Sequence, residues 1–152
     1  QSFPATVVGL LDNAVGPACF YGAFTANMHT DSNTGNSRLW ASQIVSAAQS
    51  RGIPVVSAKQ MLQWLDSRNG SSFRSTSWSR NTLSFTIAAA GGAIGLQAML
   101  PAISAAGELS SLTRGRALVS YSVQTIKGVQ YAFFPAESGA YQATYAGRGG
   151  DR

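Results

Sequence analysis

Apolar and polar positions change their rhythm part-way along the chain. Up to residue 69 the apolar residues fall in short runs and helical stripes; beyond it they alternate. Residues 5–11 (ATVVGLL) form a β-branched and aliphatic run of the kind that makes a buried strand, and residues 22–29 (GAFTANMH) read as a second strand. Residues 31–35 (DSNTG) are a polar turn cluster. Residues 37–51 then place Trp40, Ile44, Ala47 and Ala48 on one helical stripe, closed by Gly52. A short strand follows over residues 53–57 (IPVVS), and Ser57-Ala58-Lys59-Gln60 has the form of a capping box. The helix it opens turns Met61, Leu62 and Leu65 inward and stops at Asn69-Gly70. Strand, helix, strand, helix with short joints predicts parallel βα units. A parallel sheet this small needs cover on both faces, so the first half reads as unfinished.

The second half predicts strands over residues 73–79, 82–88, 94–100, 117–123, 130–134 and 140–145. Leu83/Phe85/Ile87 and Tyr141/Ala143/Tyr145 alternate cleanly, and Arg80-Asn81, Gly91-Gly92, Arg114-Gly115, Lys127-Gly128 and Ser138-Gly139 supply the turns. Short strands at this spacing predict an antiparallel, Ig-like β-sandwich. The expected fold is mixed, α+β: a βα segment over residues 1–69, a sandwich over 70–147 and a frayed tail over 148–152. The two halves are expected to share a core.

Composition narrows the partners. Of 152 residues, 45% are apolar and only 11% charged, which excludes a coiled coil and an acidic disordered chain. The longest apolar stretch, residues 87–100, is broken by Gly91, Gly92, Gly95 and Gln97, so no membrane-spanning helix is expected. The net charge of +5 comes from dispersed cations; only Arg114 and Arg116 are close together, which argues against nucleic acid as a partner. Cys19 is the one cysteine, so neither an intrachain disulfide nor a cysteine-based metal cluster can form. The chain opens on Gln1 rather than Met, which reads as processing or as a piece of something longer. A surface rich in Ser, Thr, Gly and Asn matches secreted bacterial proteins.

Three segments carry a family resemblance: residues 21–31 (YGAFTANMHTD), residues 52–65 (GIPVVSAKQMLQWL), and residues 81–85 (NTLSF) leading to 127–134 (KGVQYAFF). Together they resemble the C-terminal end of modular secreted bacterial proteins whose barrel is similar to polysaccharide deacetylases. The resemblance implies that residues 1–69 are the end of a βα barrel. It also implies that Asn27-Met28-His29 stands where the family has a Leu-x-His motif, with Asn27 in place of Leu. His29 would then correspond to the histidine that assists the leaving group. The family's divalent metal, bound by an Asp and two His early in the barrel, has no counterpart in these residues. No cofactor is expected in this chain, although the parent protein would hold a metal.

Taken by themselves, His29-Thr30-Asp31 is the one cluster with acid–base potential, with Asp12 as a further carboxylate. No G-x-S-x-G elbow accompanies the many serines. No carboxylate pair suits glycoside hydrolysis. Gly91-Gly92-Ala93-Ile94-Gly95 lacks the Lys-Ser/Thr of a phosphate loop. Among the aromatics, Trp40 and Trp64 fall at helical core spacing. Trp78, flanked by Ser77 and Ser79, is the best candidate for stacking on a sugar, with Tyr121 and Tyr141 beside it. The expectation is a secreted, non-catalytic accessory portion of a polysaccharide-active protein, stabilising it or binding carbohydrate. Two alternatives stand beside it: a structural module that associates with itself through poorly guarded strand edges, and a hydrolase centred on His29. The expected partners are polysaccharide and either the remainder of the parent chain or a second copy.

Overall fold

The structure is a computed structural model that describes residues 3–17, 22–29 and 36–147. The chain divides into two compact units, Gln1–Ser57 and Ala58–Arg152. The protein is α+β, with three helices and two antiparallel sheets among the described residues.

In the first unit, α1 spans Phe3–Val15 and α2 spans Ser37–Gln49. The run predicted as a strand over residues 5–11 therefore lies inside a helix. Its apolar residues Val7, Val8, Leu11 and Ala14 are the less exposed ones and recur at the helical period. Pro4 in the first turn is compatible with a helix start, and the Gly16 N–H closes the end on the Asp12 carbonyl at 2.8 Å. Residues 22–29 and 53–57, also predicted as strands, join no ladder among the described residues. An extended segment without a neighbour to bond is not a strand, whatever its composition. The helix predicted over residues 37–51 is α2. The Ile53 N–H bonds the Ala48 carbonyl at 3.0 Å around Gly52, whose φ of 67° suits glycine.

The second unit opens with α3, Ala58–Asn69. It is tied to the sheets: Trp64 Nε1 donates to the Ile94 carbonyl (3.1 Å), Ser67 Oγ to the Gly91 carbonyl (2.7 Å), and the Ala90 N–H to Ser71 Oγ (3.0 Å). Trp64, expected as a core residue, is partly exposed and acts through its indole N–H instead.

Nine strands follow: β1 Ser72–Ser79, β2 Thr82–Ala88, β3 Gln97–Pro101, β4 Ile103–Ser104, β5 Gly107–Arg114, β6 Ala117–Leu118, β7 Ser122–Ile126, β8 Val129–Pro135 and β9 Gly139–Ala146. The larger sheet runs β1-β2-β9-β5-β4, with β6 also paired to β5; the smaller runs β3-β8-β7. The sequence reading missed β5, a central strand, and merged β6 with the start of β7. Between those two the chain passes from one sheet to the other.

The sheets share one core, built from Phe85 and Ile87 of β2, Leu109 and Leu112 of β5, Tyr141, Ala143 and Tyr145 of β9, Ala98 and Leu100 of β3, and Ala132 and Phe134 of β8. Phe134 meets Phe85 at 6.4 Å and Tyr141 at 5.7 Å between ring centroids, while Phe85 stacks on Tyr141 at 5.2 Å. Such aromatic contacts add to the burial of large apolar surface.

Two bulges decide which residues reach that core. In β5, Leu109 pairs with Tyr145 and Ser111 with Thr144, so Ser110 is an extra residue. It reverses the alternation, and Leu109 and Leu112 both point inward although they are three positions apart. In β1, Arg74 pairs with Thr86 and Ser77 with Ser84, which leaves one extra residue at Ser75–Thr76; Ser75 carries a φ of 51°. Phe73 and Trp78 thereby lie on the same, inward face of the strand.

Candidate functional site

Trp78 lies on the outermost strand of the larger sheet, paired opposite Leu83. Its ring leans on Tyr145, with centroids 5.4 Å apart and planes tilted by 44°, yet it stays 50% exposed. The strand is held by the tight Arg80-Asn81 turn, both residues having positive φ (46° and 62°) as a two-residue hairpin of this twist requires. Phe73, at the other end of the strand, leans on Phe85 at 5.5 Å and is 52% exposed. Each ring is backed by a core aromatic and open on its remaining side.

The other two predicted stacking residues are placed differently. Tyr141 is only 2% exposed, packed against Phe85 and Phe134, and its hydroxyl donates to the Glu137 carbonyl at 2.8 Å. No face of that ring is open to a sugar, because the alternation that makes Tyr141 visible in the sequence is the alternation of a core position. Tyr121 is half-buried, and its hydroxyl donates to the Leu109 carbonyl at 2.8 Å. Trp78, Tyr121 and Tyr141 therefore form no common platform. Tyr145 hydrogen-bonds the Pro101 carbonyl at 2.9 Å and serves as the support of Trp78, a role the sequence reading did not assign.

Burial holds the Tyr141 phenol above its ordinary range, opposed by the neighbouring Arg114 guanidinium. Burial likewise raises Tyr145, and the neighbouring Tyr121 adds to the effect. Arg114 also forms an ion pair with Glu137.

The outward face of the larger sheet is the second notable surface. Rows of neutral side chains cross it in register: Ser79, Thr82, Thr144 and Ser111 in one, Ser77, Ser84, Gln142 and Thr113 in the next. A shallow depression of about 220 Å³ lies among Ser75, Ser84, Thr86, Gly115, Ala140 and Gln142. Arg74 stands opposite Thr86, beside that depression, and Glu108 opposite Ala146, past the first row. The two rows themselves offer hydroxyl and amide groups without a charge, suited to neutral, hydrogen-bonding ligands.

The predicted acid–base cluster does not form a described site. His29 is exposed at the end of the irregular segment 22–29, and Asp31 lies outside the described residues, as does Cys19. The Asp12 carboxylate accepts a hydrogen bond from Arg51 Nε at 2.6 Å, and Arg51 also donates to the Ala47 carbonyl. Asp12 thus ties α1 to the end of α2. Among the described residues, no three His, Cys, Asp or Glu side chains are grouped to hold a metal ion. No described helix is long and apolar enough to cross a membrane.

No family model, no curated protein and no solved structure matches the chain.

Proposed function

We propose that the chain is the C-terminal accessory portion of a secreted, polysaccharide-active protein, non-catalytic by itself, whose Ig-like sandwich binds glycan. One observation carries this reading: Trp78 presents a half-exposed indole on a strand whose only charged residue is Arg74. A flat ring supported from behind and open in front matches the apolar C–H face of a pyranose. The uncharged hydroxyl rows on the other side of the same sheet favour the same ligand class. The first unit fits a role within a larger protein, since its helices bury Leu11 and Ala48 while Leu10, Val15, Leu39 and Trp40 stay exposed. In this reading residues 1–69 belong to the end of a deacetylase-like barrel whose strands lie in the rest of the parent chain, which covers that surface.

Titration of the full chain with soluble neutral hexasaccharides, followed by tryptophan fluorescence and calorimetry, tests the proposal. Saturable binding is expected. Flat titrations with cellulo-, xylo-, chito- and laminari-series hexasaccharides would remove the carbohydrate-binding reading.

Self-association is the second reading, favoured by the outward face of the smaller sheet. Met99 and Val129 are exposed there beside the partly exposed Tyr131 and Phe133. Light scattering that shows a strict monomer at high concentration would dispose of it.

A further inference from the structure

We infer that Phe73 and Trp78 together form a two-point stacking shelf for one extended neutral glycan chain, with the Ser75–Thr76 bulge as the device that aligns them. The inference rests on the glycan-binding reading above and names a second contact residue and a minimum ligand length.

Phe73 and Trp78 are five positions apart, so in a regular strand they would face opposite sides of the sheet. The extra residue at Ser75–Thr76 cancels that parity. Phe73 pairs opposite Ile87 and Trp78 opposite Leu83, and both partners belong to the face that carries Phe85. The two partners are four steps apart on β2, which puts the backbone positions of the two aromatics about 14 Å apart along the edge. Leu83, opposite Trp78 on the neighbouring strand, is only partly buried and widens the apolar strip at that end. That distance exceeds one sugar ring and calls for a ligand that bridges several.

A protein strand is the competing occupant, because β1 is an edge with one charged residue. The bulge argues against it. An added strand must form a continuous ladder with the edge, and Ser75, in the left-handed region at a φ of 51°, breaks that ladder near its middle. Stacking on two rings needs no ladder. Arg74 and Ser77, between the rings in sequence, pair opposite Thr86 and Ser84 on the outward face, so β1 places no charged residue on the face that carries the rings and leaves the approach open to a neutral ligand.

The test compares full-length wild type with Phe73→Ala, Trp78→Ala and Phe73→Trp, titrating each with the hexasaccharide that wild type binds and with its disaccharide. Circular dichroism and unfolding midpoints confirm that each variant is folded. The shelf predicts that Phe73→Ala and Trp78→Ala each weaken hexasaccharide binding about tenfold, equivalent to about 1.4 kcal/mol. It predicts that Phe73→Trp retains or strengthens binding, and that the disaccharide binds far more weakly than the hexasaccharide. If Trp78→Ala abolishes binding while Phe73→Ala leaves it unchanged, the shelf is refuted and the glycan-binding reading survives. If wild type binds none of the hexasaccharides, both fail. If β1 instead pairs with a second copy, the wild type is a dimer and Phe73→Ala and Trp78→Ala shift it to monomer without any glycan effect, which also refutes the shelf.

Discussion

Exchanging Ser111 and Leu112 tests the bulge that sets the register of the second unit. The exchange puts the two leucines two positions apart, as an unbulged strand would have them. With Leu109 opposite Tyr145 and Ser111 opposite Thr144, position 111 faces outward and position 112 the core, so the leucine that was 1% exposed at Leu112 moves to the solvent face and a serine turns inward. The Leu lost from the core costs about 1.5–3 kcal/mol in burial alone. The serine that takes its place brings a hydroxyl without a partner, at about 1–3 kcal/mol. Together these amount to about 3–6 kcal/mol, a large share of the 5–15 kcal/mol typical of a whole domain. Ser110→Ala is the control. It keeps the bulge and loses only the exposed hydroxyl bond to the Thr144 carbonyl (3.0 Å), so it should cost less than about 1 kcal/mol. Guanidinium unfolding of the full chain, followed by tryptophan fluorescence and circular dichroism, separates the two. An exchange variant that unfolds within about 1 kcal/mol of wild type would show that β5 does not depend on this bulge.

Phe134, 1% exposed and in ring contact with Phe85 and Tyr141, should cost about 3–5 kcal/mol on replacement by Ala, read from the shift in denaturant midpoint. Gly107 has a φ of 119°, and a Cβ there would run into the Ala146 carbonyl, so Gly107→Ala should lower the thermal midpoint clearly while Gly115→Ala, with open space around it, lowers it less. Ser75 occupies the left-handed region at a cost of about 1–2 kcal/mol for a residue with a Cβ, so Ser75→Gly should raise the denaturant midpoint and keep Phe73 and Trp78 in place. The alkaline limb follows from Tyr141 and Tyr145. Both phenols lie above their ordinary range when folded, so above pH 10 the folded state holds protons that the unfolded state has released. Stability should be complete below pH 10 and fall as the pH rises toward the folded-state values, and Tyr145→Phe should flatten that fall in pH-dependent unfolding.

Regular alternation was legible in the sequence and broken alternation was not. Leu83/Phe85/Ile87 and Tyr141/Ala143/Tyr145 mark β2 and β9 because nothing interrupts their period. In β5, Gly107–Arg114, the bulge sets Leu109 and Leu112 three apart, a spacing that belongs to neither a regular strand nor a strong helix, and the strand escaped notice. The first unit failed for the opposite reason: β-branched Val7 and Val8 suggested a strand, while the recurrence of Leu11 and Ala14 fitted a helix. Propensity lost there to the pattern of burial. Among the candidate site residues, the exposure of Trp78 was legible because serines flank it. Tyr141 misled because a buried tyrosine with its hydroxyl bonded to a carbonyl looks the same in sequence as an exposed one. Phe73 could not be found at all by parity, which places it on the face opposite Trp78.

That failure shows what the bulge in β1 accomplishes. An edge strand with a single charge invites pairing with another chain, and the usual guards are lysines, prolines or bulges. Here the guard is Ser75, and the same backbone kink that interrupts the edge also carries Phe73 across to the side of Trp78. Protection of the edge and alignment of the rings therefore come from one residue's conformation. A substitution that straightens β1 should remove both together, exposing a pairable edge and separating the two aromatics onto opposite faces.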